Sequence, residues 1–242
     1  TQVSVDTFPK DIAEYYIYSE DKEYLHNRDV KVKTFSRAFR KIEPFFPTEN
    51  NVRVLDIGSY FGIFLKMLSK PRFDCLGIEP SRYAADYCMN QTGIAVFRGD
   101  LEAYLRENSN SKQFDVITAW DVLEHVEVPS EFLLQVNGLL APDGVFVFST
   151  ICIDSLVARI LGRRWPWILP MHVTYFNKRI LSTMLYECGF EILQVGNHVH
   201  YARLSYIVSA CTNIAPSLLH GFIRSIAKVF PRSAIIPVAL GD

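Results

Sequence analysis

The sequence predicts an α/β domain with a mostly parallel sheet and helices on both faces, and three observations support this fold class. Between residues 50 and 150, short apolar runs alternate with segments in which apolar residues recur at helical spacing. The apolar runs are continuous, as in strands that are buried on both faces. The chain has 242 residues, 49% of them hydrophobic, which suffices for the core of one large domain.

The elements follow one another in a regular order. Five parallel strands are predicted at residues 52–57, 73–79, 94–99, 114–120 and 144–150. Helices are predicted at residues 29–46, 62–70, 81–93, 101–108, 130–140 and 178–189. Ser81 is a typical helix N-cap, and Gly93 and Gly189 are typical helix ends. This alternation implies a parallel sheet with helices on both faces.

The pattern changes after the fifth strand. Residues 150–176 contain a predicted short helix and then the stretch RRWPWILP, which its two prolines keep irregular. We predict that this segment is an insertion that acts as a lid. The runs FEILQVGNHV and ARLSYIVSACT, on either side of His200, predict a C-terminal antiparallel hairpin that completes a seven-stranded sheet. We therefore divide the chain into an N-terminal arm and helix acting as a lid (1–46), the main domain (47–213) and an amphipathic tail (214–242).

Charge and cysteine content limit the possible functions. The net charge is −1, but residues 151–242 carry nine Lys and Arg against four Asp and Glu. A basic, apolar end fits an anionic substrate, a membrane surface or a solvated face. Five scattered cysteines without CxxC spacing predict neither a disulfide framework nor a zinc site, so we expect a cytoplasmic protein. A secretory signal and a membrane-spanning run are not expected either, and the missing initiator Met suggests a trimmed start.

The stretch VLDIGSYFGIFL, Val54–Leu65, takes a strand into a glycine-bearing turn and then a helix, as nucleotide sites do. A P-loop is excluded because GxxxxGK[ST] does not occur. A dinucleotide fingerprint fits poorly, since Tyr60 stands where the second glycine belongs. Asp56, just before the turn, would repel a pyrophosphate.

Acidic residues at three successive strand ends favour a different cofactor. Asp56, Glu79 and Asp100 would share one crevice, where Glu79 can accept the ribose hydroxyls and Asp100 the adenine amino group. S-adenosylmethionine has no phosphate and carries an ammonium and a sulfonium, which Asp56 would attract. These residues therefore suit S-adenosylmethionine better than a dinucleotide.

The motifs VLDIGSYFGIFL, GIEPS, GDLEAY, FDVITAWDVLEHV and LLAPDGVFVFST resemble, in order and spacing, those of class I methyltransferases. Over residues 50–200 the chain is similar to the bacterial type 11/12 group, which is related to ubiquinone O-methyltransferases and to enzymes near polysaccharide gene clusters. The resemblance implies a Rossmann-like fold that binds S-adenosylmethionine and releases S-adenosylhomocysteine. The cofactor-binding residues expected from these motifs are Asp56, Gly58, Ser59, Tyr60, Gly62, Glu79, Pro80, Asp100, Leu101, Asp121 and Val122. Tyr60 departs from the small residue of many members and leaves the loop geometry open.

Two histidines are candidate bases for a hydroxyl acceptor. His125 follows the fourth strand and His172 lies in the insertion, so both could face the pocket. A helix-start or cofactor-packing role for His125 and a lid-anchoring hydrogen bond for His172 stay open. The remaining histidines are expected to be structural: His26, His198, His200 and His220. No metal is expected, since one stretch rarely supplies a full octahedral set.

Residues of the insertion are predicted to cover the substrate. They are Arg163, Arg164, Trp165, Trp167 and Tyr175, which could meet an anion and stack on a ring. Alternatively, the tryptophans fill the core of their own loop and the arginines are solvated.

We expect a methyltransferase that acts on a hydroxyl oxygen of a small molecule or glycoconjugate. C- or N-methylation and a non-catalytic S-adenosylmethionine-binding domain are the alternatives. Nucleic acid is not expected as a substrate. The tail could contact a membrane surface. Alternatively, it packs under the sheet as part of the core or forms the contact of a homodimer.

Overall fold

The computed structural model describes residues 22–68, 70–108, 113–165, 167–214, 231 and 234–238. Its strands are β1 (Val52–Ile57), β2 (Phe73–Glu79), β3 (Ala95–Arg98), β4 (Phe114–Trp120), β5 (Leu140–Ser149), β6 (His200–Arg203) and β7 (Ile235–Val238). Its α-helices are α1 (Lys22–His26), α2 (Arg28–Ile42), α3 (Ile63–Met67), α4 (Arg82–Thr92), α5 (Leu101–Glu107), α6 (Pro129–Leu139), α7 (Leu156–Leu161), α8 (Lys178–Glu187) and α9 (Leu204–Ile214). Short 3-10 helices occupy Glu43–Phe45, Leu123–His125 and Gly162–Arg164.

Five parallel strands form the central sheet, in the order β3-β2-β1-β4-β5. The strand order reverses between β1 and β4, because the chain builds outward from β1 in one direction and then returns to add β4 on its other side. In sheets of this kind ligands bind outside the carboxyl ends of the strands at that point. The turns after Ile57 and Trp120 are therefore the edges of a crevice.

The sheet is buried on both faces, as the continuous apolar strands predict. Successive side chains of a strand point to opposite faces. Leu55 and Ile117 belong to a core with Leu133 of α6, and their neighbours Val54 and Val116 belong to another core with aromatic side chains of α2 and α3. The predicted parallel α/β architecture is confirmed.

Local chemistry explains where several helices begin and end. The side chains of Ser81, Asp100, Ser155 and Asn177 each accept a hydrogen bond from a backbone N–H in the first turn of the helix that follows. Gly93 ends α4 with a left-handed backbone. Both predicted boundaries of α4, at Ser81 and Gly93, are confirmed.

The predicted C-terminal hairpin is wrong. Residues 190–199 form no strand, and the run after Arg203 is the helix Leu204–Ile214. Its apolar residues Leu204, Ile207, Val208 and Cys211 recur at i, i+3, i+4 and i+7, and a short apolar run of this kind suits a helix as well as a strand. His200–Arg203 pairs instead with Ile235–Val238, antiparallel, in a separate two-stranded sheet. In the part of the chain that the structure describes, the parallel sheet has five strands and not seven.

The remaining predicted segments are described in part. The insertion contains α7 and the 3-10 helix Gly162–Arg164, and is otherwise irregular. A backbone bridge joins Cys152 to Phe176 where the insertion begins and ends. Residues 1–21 of the arm and most of the tail 214–242 lie outside the described residues. None of the described helices is long and apolar enough to cross a membrane.

Two adjacent leucines of α6 allow a test of the core. Leu133 is 0% exposed and Leu134 is 55% exposed. We expect Leu133→Ala to lower the free energy of unfolding by about 2–5 kcal/mol, because it leaves a cavity in the core. Leu134→Ala, the matched control, should change it by less than about 0.5 kcal/mol. Urea denaturation measures both, and equal effects would contradict the assigned orientation of α6.

Candidate functional site

The loop after β1 turns back on itself through three left-handed residues, Gly58, Tyr60 and Gly62. The N–H groups of Gly58 and Ser59 donate to the Ile78 carbonyl of β2, at 2.8 and 3.1 Å. A Cβ on Gly58 would lie 2.6 Å from Cγ2 of Val122, so glycine lets this turn approach the loop after β4. The crevice between β1 and β4 is therefore narrow at its base.

Tyr60 has φ of 47°, a strained value for a bulky residue. Its ring packs edge-on against Tyr24 of α1, with ring centroids 4.6 Å apart, and against Phe61 at 4.4 Å. Lys31 of α2 lies over the Tyr24 ring at 5.0 Å. An aromatic cluster thus covers this loop from the N-terminal side, and it was missed because Tyr24 and Tyr60 show no joint pattern in the sequence.

Asp56 and Glu79 are both buried at neighbouring strand ends. Burial raises the pKa of Asp56 to about 7, the Thr118 hydroxyl that donates to it at 2.6 Å opposes this, and the Glu79 charge adds to it. Burial also raises the pKa of Glu79, although its two oxygens accept the N–H groups of Ser81 and Tyr60, each at 2.8 Å. The two predicted acids are together in a crevice that disfavours negative charge.

The other predicted cofactor residues lie along the same edge of the sheet. Asp100 is exposed after β3, and its carboxylate accepts the N–H of Ala103 at 2.7 Å while Leu101 is buried behind it. Pro80 is exposed after β2. The hydroxyl of Ser59 is buried and has no hydrogen-bond partner among the described residues. A polar ligand at this loop would supply that partner.

Asp121 follows β4 with a left-handed backbone at φ of 54°. Its N–H donates to the carbonyl and hydroxyl oxygens of Ser149, and the Ser149 hydroxyl donates back to its carboxylate at 2.5 Å. Burial would raise the pKa of Asp121, but His200, His198, that hydroxyl and Lys31 together hold it below its usual range. A carboxylate is therefore kept ionised at the other edge of the crevice.

His198 and His200, expected to be structural, lie beside this carboxylate. The His198 ring packs on Trp120 with centroids 5.4 Å apart, and on His200 at 4.5 Å. About 80 residues separate the two histidines from Asp121 in the sequence. Sequence reasoning had no local signal that could bring them together.

His125 and His172, the predicted bases, pack against each other with ring centroids 4.9 Å apart. Their Nδ1 atoms lie 3.0 Å from the Met171 carbonyl and 2.8 Å from the Trp167 carbonyl, and because a carbonyl only accepts, each Nδ1 carries a proton and donates. Burial, with the His172 charge, lowers the pKa of His125 to about 4, and burial lowers the pKa of His172. Both rings are neutral near pH 7.

Glu124, His125 and His172 also form a cluster of the kind that could hold a metal ion, with one ligand-type atom from each within 4.8 Å of the others. The Glu124 carboxylate already accepts the Thr150 hydroxyl at 2.8 Å. The expectation of no metal at this site stays a prediction.

The predicted lid residues are divided between two environments. Trp165 is buried in a small core with Ile151 and Ala158, and Arg163 and Arg164 are exposed. The Tyr175 hydroxyl donates to the Trp167 carbonyl at 3.4 Å, and the Trp167 ring lies 6.2 Å from that of His200. Trp167 therefore reaches the Asp121 region, whereas Trp165 holds the insertion together.

Residues 24–195 match the family model of a methyltransferase domain. Two similar curated proteins are ubiquinone biosynthesis O-methyltransferases. That of Azorhizobium caulinodans is 27% identical over 71% of this chain and 70% of its own length. The mitochondrial one of Schizosaccharomyces pombe is 32% identical over 65% of this chain and 57% of its own length. A further such enzyme, from Methylococcus capsulatus, is matched over only 43% of its length.

Solved structures share the fold at low identity. An S-adenosylmethionine-dependent methyltransferase from Archaeoglobus fulgidus has a TM-score of 0.57 at 20% identity, over 76% of this chain and 78% of that one. Magnesium protoporphyrin IX methyltransferase from Synechocystis, solved with bound S-adenosylhomocysteine, has a TM-score of 0.57 at 15% identity, over 80% of this chain and 90% of that one.

Alanine substitutions at Gly62, in the loop after β1, and at Gly93, at the end of α4, distinguish the cost of steric clash from that of backbone strain. Both have a left-handed backbone, but a Cβ on Gly62 would lie 2.1 Å from the Cys88 sulfur and one on Gly93 would meet nothing within 4 Å. We expect Gly93→Ala to cost about 1 kcal/mol of unfolding free energy, the strain alone. Gly62→Ala should cost at least about 2 kcal/mol more, as overpacking does.

The double variant Gly62→Ala, Cys88→Ala removes the sulfur and should recover part of that loss. Thermal and urea unfolding of the four proteins measure these differences. Equal costs for the two glycines would contradict the assigned packing of the loop on α4.

Proposed function

The chain belongs to the class I S-adenosylmethionine-dependent methyltransferases, and we propose that it transfers the methyl group to a hydroxyl oxygen of a small molecule. Its similarity to ubiquinone biosynthesis O-methyltransferases carries this proposal. The crevice between β1 and β4 is the proposed place of reaction. An acceptor attached to a glycan would need the same hydroxyl chemistry.

The residues present fit S-adenosylmethionine. The buried, unpartnered Ser59 hydroxyl, together with Gly58 and Gly62, suits the methionine part of the cofactor at the loop after β1. Asp56 suits its cationic groups, Glu79 the ribose hydroxyls, and Asp100 the adenine amino group. The bound cofactor supplies a methyl group activated by a positively charged sulfur, so the protein has to orient the acceptor and exclude water.

The packing of Tyr60 supports S-adenosylmethionine rather than a dinucleotide as the cofactor, because neighbouring aromatic rings hold the Tyr60 ring in place. With Tyr24 and Phe61 it closes the side of the loop where a pyrophosphate would need glycine. Val122 packs over Gly58 from the other edge. We infer that these contacts define the width of the cofactor crevice, and that Asp121 faces the acceptor side.

The side chains of the insertion support a role in covering the methyl acceptor. Arg163 and Arg164 are exposed and could meet an anionic group of the acceptor, while Trp165 anchors the segment and Tyr175 ties it to Trp167. Residues 150–176 would then cover the acceptor. Membrane contact through the tail, a homodimer and a cytoplasmic location remain proposals from the sequence.

Product analysis tests the acceptor atom. The protein is incubated with methyl-labelled S-adenosylmethionine and a panel of phenols, catechols, amines and activated carbon acids. We expect label in methyl ethers, which mass spectrometry distinguishes from N-methyl and C-methyl products. Labelled amines or carbon acids instead would replace the O-methyl proposal by its alternatives. Calorimetry that detects no S-adenosylmethionine binding at millimolar concentration would contradict the enzyme itself.

Proton release on cofactor binding tests the role of Asp56. With a pKa of about 7, Asp56 is half protonated near pH 7. A cation placed beside it lowers that pKa, so we expect each bound cofactor to release about half a proton at pH 7 and almost none at pH 9. Calorimetry in two buffers of different ionisation enthalpy measures this release.

Asp56→Asn should abolish most of the release, and the exposed Asp74→Asn, on the adjacent strand, should leave it unchanged. Binding heats that do not depend on the buffer between pH 6 and 8 would mean that Asp56 does not meet the cationic groups.

A further inference from the structure

Helix α7 of the insertion turns its larger apolar side chains away from the protein. Leu156 and Ile160, which lie one helical turn apart, are each 72% exposed. Ala158, a smaller residue between them, is 5% exposed and belongs to the small core that also contains Ile151 and Trp165. A helix that only covers a core buries its larger apolar residues. The orientation of α7 is the reverse of this, so the exposed side of the helix suits contact with an apolar partner.

Ile153 adds to this apolar surface from the segment just before α7, and we call Ile153, Leu156 and Ile160 the outer face. Ile153 is 42% exposed. Single exposed apolar residues are common on protein surfaces, but several together mark a contact site. The N–H of Ile153 donates to the Phe176 carbonyl at 2.8 Å, which holds the beginning of the insertion against its end. The outer face is therefore carried by a backbone that hydrogen bonds hold in place.

Basic side chains lie in and directly after the same helix. Arg159 of α7 is exposed, and so are Arg163 and Arg164, which follow it. Residues 155–186 carry five Lys and Arg and no Asp or Glu, and the nearest acid before them in the sequence is Asp154. Arginine can lay its hydrocarbon stem along an apolar surface and extend its guanidinium to an anion beyond it. A partner that fits is apolar within and negatively charged at its surface.

An anionic lipid bilayer has both properties. Helices that lie in a membrane interface combine large apolar side chains with Lys and Arg, and anionic headgroups attract cations close to the surface. A second copy of the chain fits less well, because a two-fold contact brings a patch against itself and would place arginine beside arginine. A protein partner is less favoured too, since aromatic residues dominate the centres of such interfaces and the outer face is aliphatic.

We propose that the outer face docks the protein on an anionic phospholipid bilayer. Its apolar side chains enter the boundary of the hydrocarbon, and the guanidinium groups of Arg159, Arg163 and Arg164 lie at the lipid phosphates. The contact is peripheral, and it involves the insertion rather than the tail. It goes beyond the proposed function, because it does not depend on which acceptor is methylated.

This contact brings the crevice toward the bilayer surface. The insertion begins after β5, and its later part is joined to the loop after β4. There the N–H groups of Val173 and Thr174 donate to the Glu124 carbonyl at 2.9 and 3.1 Å. Both attachments are at the carboxyl edge of the sheet, where ligands bind in folds of this kind. The outer face therefore belongs to a segment that is fixed to the edge of the crevice.

Vesicle flotation tests the docking. The full chain is mixed with vesicles of phosphatidylcholine alone, or of phosphatidylcholine with phosphatidylglycerol, and centrifuged in a density gradient. We expect the protein to float with the anionic vesicles and to stay in the soluble fraction with the neutral ones. Salt of about 1 M, which shortens the screening length to about 3 Å, should weaken the binding. Equal binding to both kinds of vesicle would overturn the assignment to an anionic surface, and no binding to either would overturn the docking itself.

Variants separate the apolar contribution from the charged one. Leu156→Ser combined with Ile160→Ser should weaken binding to anionic vesicles at least about 10-fold, because these side chains no longer enter the bilayer. Leu134→Ser, at the exposed leucine of α6, is the control and should bind like the wild type. Arg159→Gln should weaken binding about fivefold, the effect of one cation near an anionic surface, whereas Arg106→Gln, exposed on α5, should not. Wild-type affinity in the double variant would overturn the proposal.

Misfolding and self-association are measured separately. All variants should unfold at the wild-type temperature, since their substitutions are at exposed positions. Sedimentation equilibrium without lipid should show the same molecular mass for the wild type and the double variant. A wild-type dimer that the double variant loses would assign the outer face to a second copy of the chain and overturn the bilayer as its partner.

Hydrogen exchange locates the contact in the wild-type protein. Anionic vesicles should slow the exchange of backbone N–H groups in Leu156–Leu161 and leave that of Pro129–Leu139 unchanged. Slower exchange confined to residues 214–242 would place the membrane contact in the tail and overturn the docking through α7. None of these measurements requires methyl transfer, so their outcome is distinguishable from a failure of the proposed function.

Discussion

Two carboxyl groups, Asp56 and Glu79, are buried side by side at the ends of β1 and β2, and the rest of the crevice is arranged around them. Burial and mutual repulsion hold the pKa of Asp56 about three units above its usual value, so the folded chain binds this proton more tightly than the unfolded chain does. The free energy of unfolding therefore falls by up to about 4 kcal/mol as the pH rises from 4 to 7. The Thr118 hydroxyl opposes the rise in the pKa of Asp56, and the N–H groups of Ser81 and Tyr60 oppose the rise in the pKa of Glu79.

The same carboxylates explain the unusual loop. Glu79 accepts the N–H of Tyr60, and Tyr60 has a left-handed backbone that is strained for a bulky residue. The rings of Tyr24 and Phe61 contribute the packing that holds it. The Tyr60 side chain, which departs from the usual pattern, therefore packs together with Phe61 against Tyr24 of α1 and joins this loop to the N-terminal helices.

Features that depend on a local pattern of residues could be predicted from the sequence. The strands β1 to β5, the caps at Ser81 and Gly93 and the acids at the strand ends follow from periodicity and from the order of motifs. It failed where contacts join distant segments. Leu204–Ile214 has apolar residues that fit either a helix or a strand, and pairing with Ile235–Val238 leaves only His200–Arg203 as strand. The nearness of His198 and His200 to Asp121 could not be predicted either, because nothing near them in the chain indicates that contact.

The two pairs of histidines show how similar side chains acquire different chemistry. The imidazoles of His125 and His172 pack edge-on and each donates to a carbonyl, so their charged forms would repel each other. The hydrogen bond from His125 to Met171 joins the loop after β4 to the insertion, and the hydrogen bond from His172 to Trp167 lies within the insertion. His198 and His200 are also in contact, but they lie beside Asp121, whose pKa they help to hold below its usual range. The two pairs therefore differ in the charge around them, because the first lies against backbone carbonyls and the second against a carboxylate.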